Sequence, residues 1–342
     1  MKKYTLTLFL IISILCYNFI LHNNTSNLFN NIKLKNEQQN EEKWYKGNTH
    51  THTTNSDGDT SPQEVVKWYK NNGYNFLAIT DHNILTETEY LDQDPSDNFI
   101  LIPGEEISSK NSLHLNALGI KKVISPSSGE SKQEIIQKNV DNTRIVNGIP
   151  IINHPNFNWA ISTEIIKNIN SCYLFELYNG HPAVNNFGGG GFQSTEEMWD
   201  DILSSDKKIF AIASDDAHNF KEFSRTKSNP GRGWIWVKAK NLTPVNILNS
   251  IENGKFYAST GIDLKDIILE NNKIEIHIIP NRDFKYTTYF IGDNGKILEK
   301  SFNNPAIYQV KGNEKYIRTR VNCSDGSFAW TQPIILKYSS KN

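Results

Sequence analysis

The sequence predicts an α/β fold followed by a smaller all-β region, and three observations carry that reading. From Trp44 to about Ser259, short apolar runs alternate with amphipathic segments, the pattern of parallel strands joined by helices. After Ser259 the runs are short and alternating, separated by NN, GDNG and SDG turns, with no helical period. Finally, six of the nine histidines stand at or just beyond an apolar run. That is the rim where parallel α/β folds gather functional side chains.

In chain order, Lys2 and Lys3 precede an apolar run from Leu6 to Leu21, which reads as an export signal or anchor over residues 1–22. No A-x-A cleavage site follows it. Cys16 suggests lipidation, yet Ser13-Ile14-Leu15 lacks the small residue usual beside a lipidated cysteine. A polar linker at 23–42 separates this segment from the rest. The expected location is therefore exported: periplasmic, extracellular or attached to a membrane through the N-terminal segment. Only Cys172 and Cys323 lie beyond it, too few for a disulfide framework or a thiolate metal site. Lys+Arg 36 against Asp+Glu 37 leaves no electrostatic case for nucleic acid.

The strand candidates are WYKGNTH, NFLAITDH, FILIPGEEIS, LHLNALGI, IPIINHP, CYLFELYN, KIFAIASDDAH and GWIWVKA. Ser61-Pro62 caps a helix that Gly73 stops. SKQEIIQKNVDNTRIV, STEEMWDDIL and TPVNILNSIENG supply three more. The later strand runs are IDLKDIILE, KIEIHIIP, YTTYFIG, IYQV, YIRTRVN and AWTQPIILKY.

The chemistry lies at the strand ends. His50 and His52, one residue apart, point to one face of a strand and can share a cation. Taken alone, the pair reads equally as a solvated or core-satisfied doublet, and Asp57 in SDG as ordinary turn chemistry. TDHN offers His82 as a ligand and Asp81 as either a cap or a proton handler. Of Glu105 and Glu106, alternation lets only one face the rim, where a carboxylate can bridge two ions. His114 and His154 are lone histidines, and SDDAH sets Asp216 and His218 on one face. These nitrogen and oxygen ligands outnumber the needs of one ion, and burying them without cations would be costly. FGGGG at 187–191 lacks the Lys-Ser/Thr of a P-loop and reads as a mobile loop near the rim.

The ordered set H-x-H, SDG, TDHN, PGxE, His, NHP and D-x-H resembles the PHP (polymerase and histidinol phosphatase) family of metal-dependent phosphoesterases, over about residues 45–260. GRGWIWVKA, GKFYASTG and AWTQPI are similar to its exported subgroup, which includes carbaryl hydrolases. The resemblance implies a distorted (β/α)7 barrel over 43–259 and a small sandwich-like β-domain over 260–342. It implies two or three divalent ions, Zn, Mn or Fe. His50, His52, Glu106 and Asp216 would hold the first; Glu106, His114 and His154 the second; Asp57, His82 and His218 the third. Family members commonly carry histidine where this chain has Asp57.

The implied activity is hydrolysis of a small-molecule phosphate ester by a hydroxide held between ions. The alternatives are hydrolysis of a carboxylic or carbamic ester, or a non-catalytic envelope binding role. Asp81, His181 and Arg232 are the expected catalytic or substrate-contacting residues, with Asn179 and Arg225 also near the rim. His181 would meet a phosphoryl oxygen or the leaving group, and Arg232, between two glycines, an anion.

Overall fold

The N-terminal face of each predicted helix forms as its cap residues require. In a computed structural model, which describes residues 42–91 and 98–336, Ser61 accepts from the backbone N–H of Glu64 and Pro62 opens helix α1 (Pro62–Asn71). Ser131 and Ser194 do the same for α2 (Lys132–Ile145) and α4 (Thr195–Ser204), where Glu197 returns a bond to the Ser194 backbone. Thr243 caps α5 (Pro244–Glu252). A short α3 (Thr163–Asn168) lies between α2 and α4. The apolar leader at 1–22 and the linker up to residue 41 lie outside the described residues.

Between these helices run β1 (Lys43–Asn48), β2 (Phe76–Ile79), β3 (Ile100–Ser109), β4 (Leu113–Leu118), β5 (Ile149–Ile152), β6 (Leu174–Asn179) and β7 (Phe210–Ser214). They are neighbours in that order in one large sheet. β1, β2 and β3 are parallel, as are β5, β6 and β7. β4 is not: it pairs antiparallel with both β3 and β5. Only Lys110–Ser112 join β3 to β4, far too few residues for a parallel crossover, and Asn111 and Ser112 take positive φ to make the turn. Beyond β7 the chain comes back to β1. His50 O accepts from Asp216 N at 3.0 Å, and His52 N donates to Ala217 O at 2.9 Å.

The sheet continues through β8 (Trp234–Ala239), next to β1, and β9 (Phe256–Ser259), antiparallel to it. β9 then pairs with β16 (Phe328–Thr331), which leads to β15 (Tyr316–Cys323), β12 (Tyr286–Gly292) and β13 (Lys296–Ser301). β17 (Ile334–Ile335) pairs with β15. A separate antiparallel sheet holds β10 (Leu264–Glu270), β11 (Lys273–Ile278) and β14 (Ala306–Gln309). Among the described residues no α-helix follows α5, as the loss of helical period at Ser259 predicts. The fold is mixed α/β with a large, partly parallel sheet, and the described residues from Trp44 onward form one compact unit.

One core packs Phe76, Ile102, Ile151, Phe175, Trp199 and Ile212 between the strands and helices. Each such side chain is worth about 1.5–3 kcal/mol in burial. A second, of Ile274, Ile276, Phe290, Tyr308 and Val321, fills the later strands. Cys172 and Cys323 are both free.

Candidate metal centre

The carboxyl ends of the parallel strands and the amino end of antiparallel β4 bring nine acidic and imidazole side chains into one cluster. His50 and His52 follow β1, where the Asn48 side chain accepts from the His50 backbone N–H and so fixes the exit of the strand. His82 follows β2 and bridges in parallel to Glu106 on β3. His114 stands on β4, opposite Ser108, and His154 follows β5. Asp216 and His218 follow β7, with Asp216 held at φ 49°, a strained backbone for a non-glycine residue. Asp57 arrives on the loop after His52. Gly58 is required there: a Cβ would lie 2.8 Å from the carbonyl carbon and oxygen of His52.

His50 Nε2, His52 Nε2 and Asp216 Oδ1 form a nearly equilateral triangle, with edges of 3.2, 3.3 and 3.2 Å. Ligands ~2.0–2.1 Å from a tetrahedral ion stand about 3.3 Å apart, so the triangle has the size of one face of such a site. Glu106 lies beside it, its Oε1 3.4 Å from His50 Nε2 and its Oε2 3.6 Å from His52 Nε2. The same carboxylate reaches His154 Nε2 at 3.1 Å, His114 Nδ1 at 3.2 Å and His82 Nδ1 at 2.7 Å. Another grouping sits at the rim: Asp57 is 3.3 Å from His218 Nε2, 3.5 Å from His82 Nε2 and 3.7 Å from His52 Nδ1. His52 thus stands beside this outer group, which the sequence reading built from Asp57, His82 and His218 without it.

Charge is crowded here. Burial opposes ionisation of Glu106 and Asp216, but surrounding imidazoles, led by His114 and His50 respectively, hold both carboxyls well below the usual range. Burial and the neighbouring His218 push His52 down to about 4. His82, despite its burial, is held up to about 10 by Asp57 and Glu106. Such a set fits divalent cations: Glu106 Oε2 and His114 Nδ1 are buried in close imidazole–carboxylate contacts that do not make well-aligned hydrogen bonds among the described residues, and a cation between them supplies what they lack.

A cavity of 130 Å³ opens onto the cluster, lined by Asp57, His82, Glu106, His114, His154, Phe157, His181, Asp216 and His218. His181 therefore faces the chemistry. Asp81 and Arg232 are not in that lining. The Asp81 carboxylate, fully buried, accepts from Thr53 N, Thr53 Oγ1, Ser56 Oγ and Thr86 Oγ1 at 2.5–2.8 Å, and so anchors the loop. The Arg232 guanidinium donates to Gly180 O, Ser224 O and Asn229 Oδ1, and so ties two loops together. Glu105 faces away, as alternation requires: it accepts from Ile124 N, and burial pushes its carboxyl up to about 7. The glycine run is a closed turn, with reciprocal Gly189–Phe192 backbone bonds of 3.0 Å.

Three residues escaped the sequence reading. Phe157 packs beside His154, His114 and His181. Asn153 donates to Glu106 Oε1 at 2.7 Å. Glu176 on β6, 1% exposed, meets His50 Nδ1 at 2.8 Å. Its signal was available: a carboxylate inside the apolar run LFEL has to be neutralised by something. A larger cavity, of 620 Å³, lies away from this cluster beside α4, where Glu196 and Asp200 are already paired with Arg318 and Arg320.

No family model and no curated protein matches the sequence. Solved structures do. A two-domain protein from Bacteroides vulgatus, described as containing a predicted PHP-like metal-dependent phosphoesterase, aligns with a TM-score of 0.51 and 15% identity. The alignment covers 86% of this chain and 96% of that one. The chain shares that protein's fold. Looser likenesses are a protein from Bifidobacterium adolescentis described as a predicted metal-dependent phosphoesterase and an amidohydrolase from Chromobacterium violaceum. The former has a TM-score of 0.40 and 12% identity over 60% of this chain and 94% of that one. The latter has a TM-score of 0.37 and 13% identity over 51% and 88%.

Proposed function

We propose that this chain is a metal-dependent hydrolase of the PHP type that cleaves phosphoesters. The observation that carries the reading is the triangle of His50 Nε2, His52 Nε2 and Asp216 Oδ1, flanked by a buried glutamate within reach of five imidazoles. On this reading His50, His52 and Asp216 hold one ion with Glu106 beside them. Glu106 is shared with His154 and His114 around a second, and Asp57, His82 and His218 hold a third at the rim. Bound zinc, manganese or iron would supply Lewis acidity and a water acidic enough to attack at neutral pH.

The chain's own residues complete the site. His181 Nδ1 accepts from Ala183 N at 3.2 Å, so its proton resides on Nε2. That N–H is available to an oxygen that gains charge as the ester bond breaks. Phe157 occupies the same wall and keeps water from the flank of His154 and His114. The small cavity admits the reacting group and leaves the remainder of a substrate outside.

A second reading has one observation in its favour: among the described residues no lysine or arginine lines the cavity. A neutral carboxylic or carbamic ester, as taken by carbaryl hydrolases, needs no such cation. The same reading of the chain takes β1–β7, tied back by the Asp216–His50 and His52–Ala217 bonds, as the distorted barrel over 43–259. The β-region from 260 and export through residues 1–22 complete it.

Metal analysis of the purified protein is expected to find about two or three ions per chain. His50→Ala and Asp216→Ala should each lose both metal and hydrolysis. A panel of bis-aryl phosphate, aryl phosphate, nucleotide and aryl carbamate, with manganese or zinc added, separates the two chemistries. Protein that stays metal-free when offered both metals would sink the reading.

A further inference from the structure

Glu176 touches more of the centre than any other residue outside the ligand groupings. Its Oε1 meets His50 Nδ1 at 2.8 Å and accepts from Ser214 Oγ at 2.5 Å. Its Oε2 accepts from the backbone N–H of His154 at 2.8 Å and from Asn179 Nδ2 at 2.9 Å. The Asn179 amide is itself fixed: its oxygen accepts from His181 N, and its nitrogen also donates to Asp216 Oδ2 at 3.1 Å. One fully buried carboxylate thus holds the ring of His50, the backbone of His154 and, through Asn179, the carboxylate of Asp216.

We infer that Glu176 is a positioning residue that selects the tautomer of His50, holding the proton on Nδ1 so that the Nε2 lone pair points into the metal triangle. This rests on the metal-centre reading above. A carboxylate surrounded by donors accepts on every side, so the shared hydrogen belongs to the imidazole. Histidine ligands are oriented in this way by an acceptor on the second ring nitrogen, and loss of such an acceptor typically weakens metal binding about 10–100-fold.

The isosteric glutamine is not neutral in this environment. Its amide carries one acceptor and one double donor. His154 N–H and Asn179 Nδ2 are obligate donors, so the amide oxygen must face them. The amide nitrogen then faces His50 Nδ1 and Ser214 Oγ, both of which can turn into acceptors. Glu176→Gln therefore moves the His50 proton to Nε2, where it occupies the position of the metal lone pair, with little change in side-chain shape or packing.

Zinc affinity, measured by competition with a chelator, tests this together with ring-nitrogen NMR of histidine-labelled protein. Zinc-loaded wild type should show His50 protonated at Nδ1. Glu176→Gln should bind zinc at the His50 site about 10–100-fold more weakly, show the His50 proton at Nε2, and leave binding at the Asp57, His82 and His218 group unchanged. A variant with unchanged zinc affinity overturns the inference. So does wild-type protein whose His50 lacks a proton on Nδ1, a measurement that does not depend on the variant folding. Wild type that takes up neither zinc nor manganese overturns the metal-centre reading, and the inference with it.

Discussion

His181 shows what single residues contribute beyond the ligand set. Sequence placed it after β6 among the expected catalytic or substrate-contacting residues. The structure sets it in the cavity wall, 5.5 Å from the His218 ring and 6.2 Å from Phe157, centroid to centroid. It belongs to none of the ligand groupings. Burial pushes its pKa down, so it presents a neutral N–H. His181→Ala should keep its full metal content while kcat falls about 10²–10³-fold, the usual cost of one donor to a developing oxyanion. Metal lost in step with activity would instead make it a ligand. Asp81 and Arg232 looked equally promising as sequence. Which of the three meets the cavity depends on χ angles and on distant partners such as Thr86 and Gly180, about which TDHN and GRG are silent.

At the scale of elements, the end of β1 and its loop form the part on which the rim depends. The chain from Thr53 to Thr60 folds back on itself, with Gly58 N and Ser56 N donating to Thr53 O and Thr54 N to Thr60 O. Asp81, at the end of β2, holds this loop through Thr53 and Ser56, and so indirectly places Asp57. Asp81→Ala should cost about 3 kcal/mol or more, because it strands a buried backbone N–H and three hydroxyls. In Asp81→Asn the hydroxyls can re-aim, and the cost should be nearer 1 kcal/mol. Denaturant unfolding measures both. An Asp81→Asn enzyme of normal stability but about 10³-fold slower turnover would restore the proton-handling role. Strands and helices in this region were legible because their periods and caps are local. The antiparallel turn of β4 was less so, since LHLNALGI carries no mark of direction and only the three-residue link to β3 decides it.

Across the whole molecule, the later strands are tied to the helical layer by a buried ion cluster. Arg318 on β15, 1% exposed, donates to both oxygens of Asp200 at 2.7 and 2.6 Å and to Glu196 at 2.9 Å, over the face of Trp199. Arg318→Met leaves two carboxylates on α4 without this partner and should cost about 3–5 kcal/mol. The sign of the pH effect follows from Glu196. Burial opposes its ionisation, but Arg318 and Arg320 hold its folded pKa below the unfolded value. The stability this supplies is present above about pH 4.3 and is lost as pH falls through the folded pKa. Thermal melts should therefore show wild type losing stability on acidification below about pH 4, and Arg318→Met losing less. Equal acid sensitivity in the two would remove Glu196 from this account. The sequence by itself determined the alternation of strands and helices up to α5, the purely β character beyond it, and the identity of the polar strand ends, because side-chain period and capping chemistry act within a few residues. Only the tertiary structure decided which ends converge. The His50–Asp216 proximity joins residues far apart in the chain and exists because β7 comes back to β1, whereas Glu106 meets His114 because β4 turns back antiparallel on β3.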